Sequence, residues 1–232
     1  MLRLDSVRIQ NGSFELAADI EIDHGSMVAV IGPSGAGKST LINAIAGFIP
    51  LWSGNVLWQD QDLGDRQPGK RPIAMLFQDS NLFPHLSVVQ NVGLGVSPEL
   101  RLTDKDVDRI HGALDRVGLS DFCDETPATL SGGQQSRAAL ARVLVQAKPL
   151  ILLDEPFAAL GPALKHDMLD LVRAVVDDIG ATLLMVSHDP SDARRIADHV
   201  VLVAEGRAHP PQPTAEILDN PPEVLQAYLG TG

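Results

Sequence analysis

Eight residues, Gly32-Pro33-Ser34-Gly35-Ala36-Gly37-Lys38-Ser39, constrain this chain more than any other stretch, because they fit G-x-x-x-x-G-K-[ST] in full. Three glycines let backbone amides converge on phosphate oxygens, and a helix N-terminus adds its positive dipole end. Such a loop needs a buried strand before it and a helix after it. Met27 to Ile31 is a continuous apolar run of the kind buried on both faces of a parallel sheet. Leu41, Ile42, Ile45 and Ala46 then follow helical spacing, with Gly47 and Pro50 to close the helix. Lys38 can reach the β- and γ-phosphates of a nucleotide, and the Ser39 hydroxyl, followed by Thr40, can ligate Mg²⁺.

A second apolar run, Leu150 to Leu153, ends in Asp154 and Glu155. Beside a phosphate loop, the first acid holds the Mg²⁺ shell and the second can orient or deprotonate water. Leu130-Ser131-Gly132-Gly133-Gln134 is another anion-binding device, with Ser131 as N-cap and two glycines exposing amides at a helix start. Read alone, it is only a capped helix.

The remaining pattern predicts an α/β chain. Leu2 to Ile9 and the alternating Phe14, Leu16, Ala18, Ile20 and Ile22 form an antiparallel hairpin turned at Asn11-Gly12. Further strands are expected at Asn55 to Gln59, Ile73 to Phe77, Ala181 to Val186 and His199 to Ala204. From about residue 87 to 148 the pattern turns helical. Thr103 and Asp106 make a capping box there, ahead of a face formed by Val107, Ile110, Leu114 and Val117. Pro162 to Ile179 reads as an amphipathic helix through Leu164, Met168, Leu171, Val172, Val175 and Ile179. A proline-rich tail over 209–232 carries short helical pieces at Ala215 to Leu218 and Glu223 to Leu229.

Composition narrows the function classes. Eighteen Lys and Arg against 30 Asp and Glu give a net charge of −12, which argues against broad binding to nucleic-acid backbones or anionic lipid. Cys123 is the only cysteine, so no intramolecular disulfide forms and a reducing compartment is expected. No apolar run approaches the ~20 residues of a membrane span, and the charged Met1 to Ile9 does not read as a secretory leader. The other histidines (24, 85, 111, 166, 199 and 209) show no metal-ligand spacing.

Taken in order, the phosphate loop, Gln78, Leu130 to Gln134, Asp154-Glu155 and His188 resemble the ATP-binding subunits of ABC transporters over nearly the whole length. The resemblance implies one P-loop NTPase domain over 1–232, with a RecA-like core, an antiparallel β edge and a helical insert. It also implies ATP and Mg²⁺ as cofactors. Two copies would pair head to tail, each ATP lying between one copy's phosphate loop and the other's Ser131, Gly132, Gly133 and Gln134. One chain carries two phosphate devices but one acid pair, which suits such an arrangement. Gln78 matches the glutamine that contacts Mg²⁺ and water and relays to the membrane partner; His188 matches the histidine on the γ-phosphate. Partners would be permease subunits and, through them, a solute-binding protein, with the chain peripheral on the cytoplasmic face of the inner membrane.

Met75 to Gln78, Asn81 to Leu86, Gln90 to Gly95, Gly47-Phe48 and Leu183 to His188 are similar to the subunit of bacterial thiamine importers. That points to thiamine or its phosphates, with iron and molybdate importers, and a soluble ABC-type ATPase, as alternatives. Two departures stand out. No aromatic residue lies at Ile9 to Asn11, where the family stacks adenine; Phe14 is the nearest ring, although its alternation with Leu16 suggests core. Ala158-Ala159-Leu160-Gly161 ends in glycine where the family has Asp.

Overall fold

A computed structural model describes residues 1–78 and 81–229; the end of the expected tail, 230–232, lies outside them. Strands β1 (Leu2–Asn11) and β2 (Phe14–Ile22) form the hairpin, with Asn11 still paired to Phe14 and Gly12-Ser13 as the two-residue loop. Gly12 takes φ +61°, which this tight turn requires. Leu16, Ala18, Ile20 and Ile22 are buried while Glu15, Asp19 and Glu21 face water, so the alternation predicts the buried face correctly.

The chain continues through β3 (Met27–Ile31), α1 (Lys38–Ala46), β4 (Ser53–Trp58), β5 (Gln61–Asp62) and β6 (Ile73–Leu76). Three helices follow, α2 (Val88–Gly93), α3 (Asp104–Arg116) and α4 (Gly132–Leu144). Then come β7 (Leu150–Asp154), α5 (Pro162–Ile179), β8 (Thr182–Val186), α6 (Pro190–Ile196) and β9 (His199–Ala204). The short β10 (Arg207–Ala208) and β11 (Gln212–Pro213), α7 (Thr214–Asp219) and α8 (Glu223–Leu229) end it. The strands lie in the order β5-β4-β1-β2-β10-β9-β3-β8-β7-β6, with β11 beside β9. From β9 to β6 every pairing is parallel, whereas β5, β4, β1 and β2 pair antiparallel.

The parallel strands are buried on both faces, which is why they read as unbroken apolar runs. Val28 and Val30 pack with α1 and the antiparallel strands, through Leu41, Ile45, Leu4 and Ile20. Met27, Ala29 and Ile31 face the other way, onto a core built with α2 to α6. Each fully buried Leu or Ile contributes ~1.5–3 kcal/mol, so α1 is held firmly between two layers.

The structure differs from expectation at several places. Ile110 and Leu114 on α3, Val117 at its end, and Met168, Val172 and Val175 on α5 are buried as expected, but Val107 and Ile179 are exposed, and Ala113, Leu169 and Val176 join the buried faces instead. The tail is anchored: Thr214 Oγ1 donates to the Ala197 carbonyl at 2.8 Å, and Ile217, Leu218 and Leu225 join the core.

Candidate active site

Parallel strands place their carboxyl ends on one edge, and every candidate group on the core hangs from that edge. Gly32 follows β3, Asp154 ends β7 opposite Val186 of β8, and His188 lies two residues beyond Val186. Leu76, the last residue of β6, is level with Leu153, and Gln78 follows two residues on, exposed, at the same end of the sheet.

The loop's glycines have separate reasons. Gly32 has φ +147°, and a Cβ there would lie 2.0 Å from the Val203 carbonyl oxygen. Gly37 caps α1 at φ +103°, and a Cβ there would lie 2.5 Å from the Phe14 ring. No side chain caps the N-terminus of α1, which leaves its first amides facing the loop. Lys38 curls back along the loop, and Nζ donates to the Gly32 and Pro33 carbonyls at 2.8 and 2.9 Å. Burial lowers the pKa of its ammonium, against the raising effect of Glu155 and Asp154.

Ser39 Oγ donates to Asp154 Oδ1 at 2.8 Å, bringing together the two expected metal ligands. Burial raises the pKa of Asp154, and the Ser39 hydrogen bond opposes it; Glu155 adds to the rise while Lys38 and His188 counter it. Two hard oxygens at one point, beside a phosphate loop, suit Mg²⁺, which binds through one or two protein oxygens plus phosphates and water. Glu155 holds φ +48°, a strained conformation for a side-chain-bearing residue, with its N–H on the Val186 carbonyl at 3.2 Å. Its carboxylate pairs with His188 Nε2. Phe14, Ser34, Lys38, Ser39, Glu155 and His188 line one cavity of about 340 Å³.

A match to the family model for "ABC transporter" extends over residues 17–158. The chain belongs to the ABC transporter family, as an ATP-binding component. It is 61% identical to the thiamine import ATP-binding protein ThiQ of Ruegeria sp. (strain TM1040), over 99% of this chain and 100% of that protein. The protein of the same name from Cereibacter sphaeroides is 57% identical, with the same coverage. Among solved structures, a nucleotide-free ATP-binding cassette from an ABC transporter matches at TM-score 0.87, 25% identity and 98% of both chains. A dimeric post-hydrolysis cassette bound to ADP and Pi matches at 0.79 and 28% identity, over 92% of this chain and 99% of that one.

Within this ABC ATP-binding chain, Ser131 to Gln134 stand apart from the phosphate-loop cavity, whose lining includes none of them. Ser131 caps α4 in a reciprocal box: its N–H donates to Gln134 Oε1 at 2.8 Å, and the Gln134 N–H returns to Ser131 Oγ at 3.4 Å. Gly133 packs against α5, where a Cβ would sit 2.5 Å from the Leu164 side-chain tip, which would have to move aside. Phe14 serves two surroundings at once, packing against the core beside Gly37 while its ring lines the cavity. Gly161 is the N-cap of α5, with Pro162 at the first helical position and open space where a Cβ would be.

Cys123 is half-buried, donates Sγ–H to the Ser120 carbonyl, and has its thiol pKa raised by burial; it is a poor nucleophile. Sequence reasoning missed the polar cluster of Lys165, Ser187, Asp189 and Asp192 behind His188. The Asp189-Pro190 pair, an N-cap followed by proline at the first helical position, was its one legible sign.

Proposed function

We propose that this chain is the ATP-hydrolysing subunit that energises an importer of thiamine or thiamine phosphates. The observation carrying the solute is end-to-end similarity to thiamine import ATP-binding proteins at 61 and 57% identity. In this reading the loop amides of Gly32 to Ser39 and Thr40, with Lys38, hold the nucleotide phosphates, and Ser39 and Asp154 hold Mg²⁺. Mg²⁺ held there would supply positive charge against the phosphates. Glu155 takes the proton from attacking water, its carboxylate kept in place by His188. His188 also faces the γ-phosphate, and Gln78 orients the water from the neighbouring strand end.

A second copy supplies Ser131 to Gln134, so the active unit is a homodimer. The exposure of Ser131 and Gly132, away from the chain's own loop cavity, supports this reading. Beside Gln78 a groove of about 800 Å³ is walled by Met75, Phe77, Leu82, Phe83 and Val96, and Phe48 stands against Phe77 edge to face. We assign this groove to a segment of the permease, which in turn receives solute from a binding protein. Among the described residues no helix is long and apolar enough to cross a membrane. In this reading, attachment at the inner face of the inner membrane runs through the permease.

Reconstitution with permease and solute-binding protein tests the proposal. Thiamine or its phosphates should stimulate ATP hydrolysis, and iron or molybdate should not. Stimulation by either inorganic solute, with none by thiamine, would overturn the solute assignment.

A further inference from the structure

Lys165, the fourth residue of α5, reaches across to the segment that carries His188. Its Nζ lies 2.6 Å from Asp189 Oδ2, and 2.7 Å from Asp192 Oδ1 as an ion pair off the line of a good hydrogen bond. Only 16% of the lysine side chain and 9% of that of Asp192 is exposed. Ser187 Oγ donates to Asp192 Oδ2 at 2.6 Å, and the Asp189 N–H donates to Ser187 Oγ at 3.0 Å. Asp189 Oδ1 accepts from the Ser191 N–H at 2.9 Å, capping α6. One ammonium therefore holds Asp189 and Asp192 beyond His188 and, through their hydrogen bonds, Ser187 before it.

Burying Lys165 and Asp192, with the partly exposed Asp189 beside them, is a poor way to gain stability, because desolvation cancels much of the attraction. What such a cluster does well is fix geometry, and the surroundings need that. Pro156, Phe157, Leu169 and Met185 line a cavity of about 280 Å³ beneath residues 187–189, so apolar packing alone does not fix the segment. Burial would raise the Asp189 pKa, but hydrogen bonds from Lys165 and Ser191 outweigh it and hold the carboxyl at about 2, fully charged. The Lys165 N–H also donates to the Gly161 carbonyl at 2.9 Å, rooting the same residue beside Ala158 to Gly161.

We propose that Lys165 is a positioning residue that sets His188 against Glu155 and ties it to the start of α5. The inference rests on the catalytic reading of Glu155 and His188 given above. Lys165→Met in the full chain should lower kcat for ATP by about 10- to 100-fold, the scale of a misplaced catalytic group, with KM within ~3-fold. Lys165→Arg, which keeps the charge, should restore most of the rate. Because Lys165 acts through His188, Lys165→Met should add almost nothing to the loss caused by His188→Ala. In ¹⁵N-histidine spectra the His188 ring signal should move in Lys165→Met and return in Lys165→Arg, with both variants still folded by thermal melting.

Two results would overturn the inference: near-parental rate with an unmoved ring signal in Lys165→Met, or losses that multiply in the double variant. Parental activity in His188→Ala is a different outcome. It would remove the catalytic reading of His188, while the ring signal would still decide whether Lys165 positions it.

Discussion

Ser39 and Asp154, 115 residues apart in sequence, meet through a hydroxyl–carboxylate hydrogen bond of 2.8 Å. The bond aligns two oxygens where a metal would sit, and it satisfies a carboxylate that is only 6% exposed. Ser39→Ala and Asp154→Asn should each cut Mg²⁺-dependent hydrolysis by at least about 10-fold, since losing a ligand should cost no less than losing the partner that orients one. Titrating Mg²⁺ against ATPase rate checks it. Parental Mg²⁺ dependence in both variants would remove the pair from the metal site.

Glu155→Gln keeps the shape of the side chain but not its basicity. We expect ATP binding to persist and turnover to fall at least ~10²-fold, the usual contribution of a positioned base. An ATP-stabilised dimer should then accumulate and register in light scattering. Turnover close to the parent would exclude Glu155 as the base.

Lys38 lines the loop cavity and Ser131 does not, so on the proposed reading one site takes both residues only from two copies. Subunits carrying Lys38→Ala and Ser131→Arg should each be inactive alone. Mixed, they place both lesions in one composite site and leave the other intact, so partial activity should return. Substantial ATPase in the Ser131→Arg homodimer would sink the shared-site arrangement.

Gly161 has open space at its Cβ position and an ordinary extended backbone, so Gly161→Asp fits without strain. Aspartate caps a helix a few tenths of a kcal/mol better than glycine, and stability should be unchanged or slightly higher. In the assembled transporter we expect faster partner-stimulated ATPase, because the carboxylate usual in the family is restored. No increase there would mean that coupling runs through other contacts along Ala158 to Pro162.

Gly32→Ala has no such room. A methyl group would stand 2.0 Å from the Val203 carbonyl oxygen, at a φ of +147° that alanine resists. Strain of ~1–3 kcal/mol is the least to expect, and β3 and β9 must separate locally. Thermal melting should drop by several degrees and ATP affinity with it; a melting point equal to the parent's would contradict the close approach.

The place of the phosphate loop and the acid pair at one edge of the sheet was legible because these motifs are contiguous. Gly32 to Ser39 and Asp154-Glu155 each follow a buried apolar run, and that run alone fixes where a strand ends. Periodicity was less reliable on helices. Val107 matches the α3 spacing yet faces water, since a helix shows which residues share a face but not how far that face wraps around. Helix α6 spans only seven residues, too short for a period to emerge, and the two-residue strands β10 and β11 exist only through their partners. Lys165 was invisible for a different reason. A lysine on an amphipathic helix reads as solvent-facing, and the acids that draw it inward lie 24 and 27 residues away in the chain.

Arg71 gives the nucleotide grip its mechanical character. Its buried guanidinium donates to the Ile45 carbonyl at 2.6 Å, the Ala44 carbonyl at 3.2 Å and the Arg66 carbonyl at 3.1 Å. The far end of α1 is thus riveted to the stretch that leaves β5, while the sheet and the hairpin clamp its flanks. Sliding α1 would strand a buried cation without acceptors, at a cost of several kcal/mol. The phosphate loop, its helix and the antiparallel ribbon consequently form one stiff plate. Displacing the loop therefore means moving α1 and the hairpin with it, while α2 to α4 rest on the opposite face of the sheet, in the core they share with Met27, Ala29 and Ile31.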